Sequence, residues 1–291
     1  MIWEKRELAA KLPVDPADTY ILTDFDRTLT LGSSMTSWSV LSKSTDVPKE
    51  YIEERNALYE IYRPIEIDET IDVEERSAKM RDWWHRHIEL FQKYHLQESV
   101  IEDAAKNIRI MAFRDGAKEF LEYTHQHNIP VIIISAGIGN FIQIFLEQSG
   151  LMYPNIHIVS NFILFADGIA TGVADNIIHS LNKNEVSLPQ TVASQIENRH
   201  TEIVMGDLLA DLKMADESNG KKKIKVGFLE PENYSFESNY KESFDIVMKD
   251  ESFSSLQKVF NWTDSTKRIY KEVYVLSLIH ISEPTRLDVI S

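Results

Sequence analysis

Two aspartates stand two apart in the stretch Asp24-Phe25-Asp26-Arg27-Thr28, directly after the β-prone run Thr19 to Thr23. If the extension continues past the strand, both carboxylates point to one side. Two carboxylates at one point repel each other, so both stay ionised only beside a cation or hydrogen-bond donors. Magnesium suits that position, because it prefers hard oxygen ligands and commonly joins carboxylate to phosphate. A third carboxylate, Asp207, follows Gly206 at the end of the apolar run Glu202 to Met205, and Asp211 lies one helical turn beyond. Glycine at 206 lets backbone approach closely. A D-x-D pair alone is an ordinary acidic turn. A strand-end D-x-D-x-T with a later strand-end G-D-x-x-x-D is far more specific.

Two further positions could hold an anion. Ser135 opens Ser135-Ala136-Gly137-Ile138-Gly139-Asn140, after the run Val131 to Ile134. Its hydroxyl and the N–H groups that follow, with a helix start just beyond, could grip a phosphate. The plain alternative is a strand-to-helix turn with a serine cap. Lys183, in Ile177-Ile178-His179-Ser180-Leu181-Asn182-Lys183, could balance charge where a phosphoryl group is transferred.

These residues need a scaffold that brings strand ends together. Apolar runs at Thr19 to Thr23, Ile129 to Ile134, Ile156 to Ser160, Glu202 to Met205, Ile224 to Phe228 and Phe244 to Met248 read as buried parallel strands. Helical patterns lie between several of them, as at Gly116 to His127 and Asn140 to Gln148. The alternation predicts an α/β fold, a doubly wound parallel sheet with helices on both faces. Ligands in such sheets sit beyond the carboxyl ends of the strands. The long segment between Thr30 and Arg114 carries helical spacing at Lys49 to Tyr62, Val73 to Tyr94 and Ser99 to Ile108. It reads as a helical cap inserted after strand one, able to close over a site. The expected division is a core of residues 1–30 and 112–265 and a cap of residues 31–111.

The ordered set DFDRT, SAGIGN, NK and GDLLAD resembles the four motifs of the haloacid dehalogenase superfamily. Seven longer stretches resemble the pyrimidine, or cytosolic-III type, 5′-nucleotidases. They are YRPIEID, VEER, SAGIGN, VSNF, IIHSLNKN, MGDLLADLKMAD and DIVMKDES, spread from about residue 20 to residue 255. The resemblance implies a Rossmann-like core and a magnesium-dependent phosphomonoesterase acting on nucleoside 5′-monophosphates. It implies that Asp24 forms an aspartyl phosphate and that Asp26 serves as general acid and base. Magnesium would be held by Asp24, the Asp26 carbonyl and Asp207, with Asp211 organising that site. Ser135, Ala136 and Lys183 would bind the phosphate, with Thr28 a further candidate. Glu66 would contact the nucleoside. His87 stands where the family often has a serine near the base, and Leu31 to Tyr51 does not resemble the vertebrate members. Trp83, Trp84 and Phe91 offer a stacking wall or cap core. His85 and His87, two apart on a helix, do not face one side and make no metal pair. A phosphatase of the same machinery acting on a sugar phosphate is the alternative, and a non-catalytic binding protein is a third reading. Capture of the aspartyl phosphate by a sugar hydroxyl would make a phosphotransferase.

Composition bounds the rest. The 291 residues carry a net charge of −15, which disfavours a nucleic-acid polymer or an anionic membrane as partner. The absence of cysteine excludes disulfides and thiolate chemistry and fits a cytoplasmic location. The N-terminus has no secretory h-region, and the apolar run Ile129 to Ile138 is too short to span a bilayer. The stretch Leu276 to Arg286 (LSLIHISEPTR) matches the translation of a sequencing-library adapter. It is read as non-native read-through, with residues 287–291 grouped with it, and the natural chain is expected to stop or diverge near Val275.

Overall fold

The computed structural model describes residues 2–5, 12–44, 46–68, 70–106, 111–174, 176–249 and 252–260. The adapter-like stretch and the expected core limit at 265 lie outside these residues.

Every long apolar run becomes a strand. β2 (Thr19–Thr23), β3 (Val131–Ile138), β4 (Ile156–Asn161), β7 (Thr201–Gly206), β8 (Lys222–Phe228) and β9 (Ile246–Met248) form one sheet with β1 (Ile2–Glu4). The order is β1-β9-β8-β7-β2-β3-β4, parallel throughout except for β1, which runs antiparallel to β9. The runs are continuously apolar because both faces of the sheet are covered. Ile21, Ile133 and Ile203 point into one core, with Phe120 of α4 (Ala117–Gln126) and Ile142 of α5 (Gly139–Gln148). Leu22, Ile132, Ile134 and Val204 point to the other face, against Val192 and Ile196 of α6 (Gln190–Ile196). The fold is thus the doubly wound α/β sheet that the alternation predicts. Chain order reverses at β2, which pairs with β3 on one side and β7 on the other, so their carboxyl ends frame a crevice.

Among the described residues, three α-helices lie between β2 and α4: α1 (Lys49–Ile67), α2 (Val73–Lys93) and α3 (Glu98–Lys106). α2 starts at Val73 because the Asp72 side chain accepts from the N–H groups of Glu74 (2.9 Å) and Glu75 (3.3 Å), a cap worth about 1 kcal/mol. α1 and α2 pack on each other, whereas α3 packs on α5. A two-stranded hairpin, β5 (Ile163–Ala166) and β6 (Ile169–Val173), is absent from the sequence-based reading. Its turn, Asp167-Gly168, has positive φ at both residues, which is the common two-residue hairpin chemistry.

Candidate active site

The crevice opens into a cavity of about 510 Å³, walled by the ends of β2, β3 and β7 on one side and by α1 and α2 on the other. Asp24, Asp26, Glu66, His87, Ser135, Ala136, Lys183, Asp207 and Asp211 all line it. Thr28 does not. It is fully buried, and its hydroxyl faces Asp207 Oδ1 at 3.5 Å, which gives it a supporting position and no access to a phosphate.

Asp24 is fixed by its N–H, which donates to the Met205 carbonyl at 3.0 Å and so ties the end of β2 to β7. Asp24 and Asp26 both line the cavity, as the two-residue spacing predicts, and each has its own partners. Extension stops at Thr23, and Arg27 turns with φ of 59°. Asp24 pairs with Lys183, while Asp26 is bound by the loop that follows. There the Ser37 N–H donates to Asp26 Oδ1 at 2.8 Å and the Ser37 hydroxyl donates to Oδ2 at 2.6 Å. Gly137 permits this approach, since a Cβ at 137 would lie 2.0 Å from Ser37 Oγ.

Lys183 is buried, with Nζ 2.7 Å from Asp211 Oδ1 and 3.0 Å from Asp24 Oδ1. The first contact is an aligned hydrogen bond; the second is an ion pair that leaves Asp24 Oδ1 without a donor. Burial alone would lower the ammonium's pKa. The carboxylates of Asp211 and Asp24 outweigh burial and hold it above its ordinary value. The other oxygen of Asp211 accepts from the Leu208 N–H at 2.9 Å, so one carboxylate fixes both the lysine and the loop after β7. Gly206 is needed there, because a Cβ would meet Asp211 Cβ at 2.3 Å.

Asp24, Asp207 and Asp211 are all buried, and one carboxylate oxygen from each lies within 4.8 Å of the others. Burial, and then the neighbouring charges of Asp211 and Asp26, push Asp24 up to about 7 despite Lys183. Burial with Asp211 and Asp24 raises Asp207 well above the usual carboxylate range. Three crowded carboxylates with one ammonium, and an oxygen without a donor, fit a hard divalent cation. Asp26 gives no carboxylate to this triad, since Ser37 donates to both its oxygens, and the metal role that the resemblance implies for it belongs to its backbone carbonyl. Burial pushes Asp26 up to about 6, against the hydrogen bonds from Ser37 that pull it down.

Ser135 lies inside β3, because the strand runs on to Ile138 instead of ending at Ile134. Its hydroxyl accepts from the Gly137 N–H at 3.1 Å, and α5 begins at Gly139. Glu66, near the end of α1, accepts from the Ser180 hydroxyl at 2.6 Å and pairs with Arg63 at 2.5 Å. His179 Nε2 meets the Ser77 hydroxyl at 3.2 Å. Two contacts thus join α1 and α2 to the loop that carries Lys183. His87 is buried, its ring 4.5 Å from that of Trp38, and its Nδ1 has no partner. Burial, with Arg55 nearby, pushes its imidazole down to about 3, so it is neutral. His85 on the same helix is exposed. Trp84 is buried against Trp38, with ring centroids 4.2 Å apart, and Trp83 stacks on Tyr62; both tryptophans reach the cavity, and Phe91 does not.

Ser37, Trp38, Arg55 and Ser180 are site residues that the sequence reading misses. The Arg63–Glu66 pair had a readable signal in its three-residue spacing. The loop bearing Ser37 has none.

Residues 24–262 match the family described as Pyrimidine 5′-nucleotidase (UMPH-1). The chain belongs to that family. It is a phosphoric monoester hydrolase of the 5′-nucleotidase kind, on a haloacid dehalogenase fold. It is 33% identical over 245 residues to a 7-methylguanosine phosphate-specific 5′-nucleotidase of Drosophila melanogaster, covering 81% of this chain and 76% of the fly protein. To the Homo sapiens protein of the same name it is 34% identical over 241 residues, covering 80% of each. The crystal structure of cytosolic 5′-nucleotidase IIIB bound to cytidine superposes with a TM-score of 0.80 at 29% identity, covering 89% of this chain and 92% of that one. A phosphoserine phosphatase in apo form shares the fold, with a TM-score of 0.51 at 18% identity over 84% of this chain and 98% of that one. Among the described residues, no helix is long and apolar enough to cross a membrane.

Proposed function

We propose that this 5′-nucleotidase hydrolyses nucleoside 5′-monophosphates in the cytoplasm, with magnesium, through an aspartyl phosphate on Asp24. The observation that carries the reading is Asp24 Oδ1, buried at the cavity floor beside Lys183 and without a hydrogen-bond donor. A carboxylate placed so is free to attack phosphorus.

Asp24 attacks, and the bond from phosphorus to the 5′ oxygen breaks. Asp26, with a pKa near 6, gives its proton to the departing alkoxide. It then takes a proton from the water that attacks phosphorus and releases Asp24. Ser135, Ala136 and Lys183 hold the phosphoryl oxygens. Asp24 and Asp207, with Asp211 beside them, would hold magnesium, which would supply charge neutralisation for the reacting phosphate. The segment 31–111 acts as the cap, and Glu66 ties it to the core on the nucleoside side. The relatives' names support a nucleotide, including one with a methylated base, as substrate.

Phosphate release with magnesium across nucleoside monophosphates, 7-methyl-GMP, sugar phosphates and p-nitrophenyl phosphate tests this reading. At least tenfold higher kcat/KM for one of the nucleotides is expected. A flat profile would give the function to a general small-phosphomonoester phosphatase.

A further inference from the structure

α1 presents Arg55, Tyr59, Arg63 and Glu66 to the cavity, at spacings of four, four and three. The Glu66 end is bonded to Ser180, three residues before Lys183. Arg55 lies about 16 Å further along the helix, at 1.5 Å per residue. The walls nearby are aromatic, with Trp83 6.1 Å from Tyr59 and 5.9 Å from His87, centroid to centroid.

Arg55 stands out among the cavity's arginines. Arg27 pairs with Glu232 at 2.8 Å and Arg63 with Glu66 at 2.5 Å. Among the described residues, no carboxylate pairs with Arg55. It is half-buried, its Nη1 reaches only the neighbouring Asn56 Oδ1 at 3.0 Å, and its Nε is buried without a partner. The titratable groups facing it are the phenols of Tyr51 and Tyr59 and the neutral imidazole of His87. Nε1 of Trp83 and Nδ1 of His87 are also buried and unpartnered on this wall. Buried polar groups in native proteins nearly always have partners, so three orphans on this one wall point to a ligand that supplies them.

We infer that the Arg55 end of the cavity is a subsite for a neutral nucleobase presenting a keto oxygen to the guanidinium, and that it disfavours a cationic, N7-methylated purine. The inference rests on the nucleotidase reading. Aromatic faces stack on a neutral or a cationic base alike, so they do not decide between them. The unpaired guanidinium does, because like charges in a shielded cavity repel strongly while a keto oxygen accepts its hydrogen bond. Glu66 does not offset this, since Arg63 already takes its charge. The chain would then differ in base choice from relatives whose names specify 7-methylguanosine phosphate.

GMP and 7-methyl-GMP differ by one methyl group and one charge. 2-Aminopurine riboside 5′-phosphate is GMP without its keto oxygen. The test measures kcat/KM for all three, with ribose 5-phosphate as a baseless reference, on the parent, Arg55→Gln and Arg55→Glu. The parent should favour GMP at least tenfold over 7-methyl-GMP and at least fivefold over the 2-aminopurine nucleotide. Arg55→Gln should bring both ratios within about threefold of unity, and Arg55→Glu should invert the first. A smaller parental preference, or ratios that neither variant moves, overturns the subsite. The parental ratios need no variant, so a misfolded variant does not protect the inference. If ribose 5-phosphate is hydrolysed and no nucleotide is, the nucleotidase reading falls and takes the subsite with it; brisk GMP turnover with the wrong ratios removes the subsite alone.

Discussion

Ser37 holds both oxygens of Asp26, donating its N–H to Oδ1 at 2.8 Å and its hydroxyl to Oδ2 at 2.6 Å. This grip aims the acid and opposes the rise in its pKa that burial causes. General acid help matters most for poor leaving groups. Ser37→Ala should therefore lower kcat on a nucleotide by about tenfold to hundredfold and leave p-nitrophenyl phosphate within about threefold of the parent. Steady-state assays on both substrates make the comparison. Equal losses would reduce Ser37 to a packing residue.

Asp24→Asn removes the attacking oxygen without changing shape. Turnover should fall below detection while the melting temperature stays within a few degrees of the parent. Asp26→Asn should still release nitrophenol in a single turnover, because that leaving group needs little protonation. Steady turnover by a clean Asp24→Asn preparation would refute the covalent route.

Lys183→Met tests the charge balance. It leaves Asp24 and Asp211 buried without their cation, and breaking a buried pair costs about 3–5 kcal/mol. The variant should be inactive and markedly less stable in urea. Magnesium should recover more stability in it than in the parent, since a divalent cation neutralises the same carboxylates. Identical magnesium effects on both proteins would place the metal elsewhere.

The sheet was readable because its strands are buried on both faces. Ile21, Ile133 and Ile203 serve one core and Leu22, Ile132 and Val204 the other, and that doubles the apolar signal. β1 escaped because it has three residues and pairs only at the sheet edge. The β5–β6 hairpin escaped although Asp167-Gly168 marked it. Asp24 and Asp207 were legible as carboxylates just beyond strand ends, and the structure brings them together with Lys183 from a loop. Ser37 and Arg55 matter through partners far along the chain or through the lack of one, and neither leaves a periodic trace.

His87 makes the fold sensitive to acid. Burial holds its imidazole down at about 3, against about 6.5 in an unfolded chain. Between those values the unfolded chain binds a proton that the folded chain refuses. The stability His87 contributes is complete above pH 6.5 and is lost as pH falls toward 3. Asp24 and Asp26, raised to about 7 and 6, act in the opposite sense, and their contribution is lost as pH rises through those values. His87→Phe removes only the first effect. Between pH 6.5 and 4 the unfolding free energy of His87→Phe should gain on the parent's as pH falls, by up to about 1.4 kcal/mol per pH unit. Parallel curves would mean that the folded protein protonates this ring freely.

Glu66 joins α1 to the Lys183 loop through Ser180 and is held in turn by Arg63. A carboxylate with two such partners is a clamp between the helices over the cavity and the loop beneath it. Glu66→Ala should raise KM for a nucleotide about tenfold or more, because the nucleoside side of the cavity loses its anchor. Hydrolysis of p-nitrophenyl phosphate, which has no nucleoside to place, should change by less than about threefold. Glu66→Gln keeps an acceptor for Ser180 and loses the ion pair with Arg63, so it should fall between Glu66→Ala and the parent. Equal effects of Glu66→Ala on both substrates would confine Glu66 to holding α1 in place and would remove its part in recognising nucleotides.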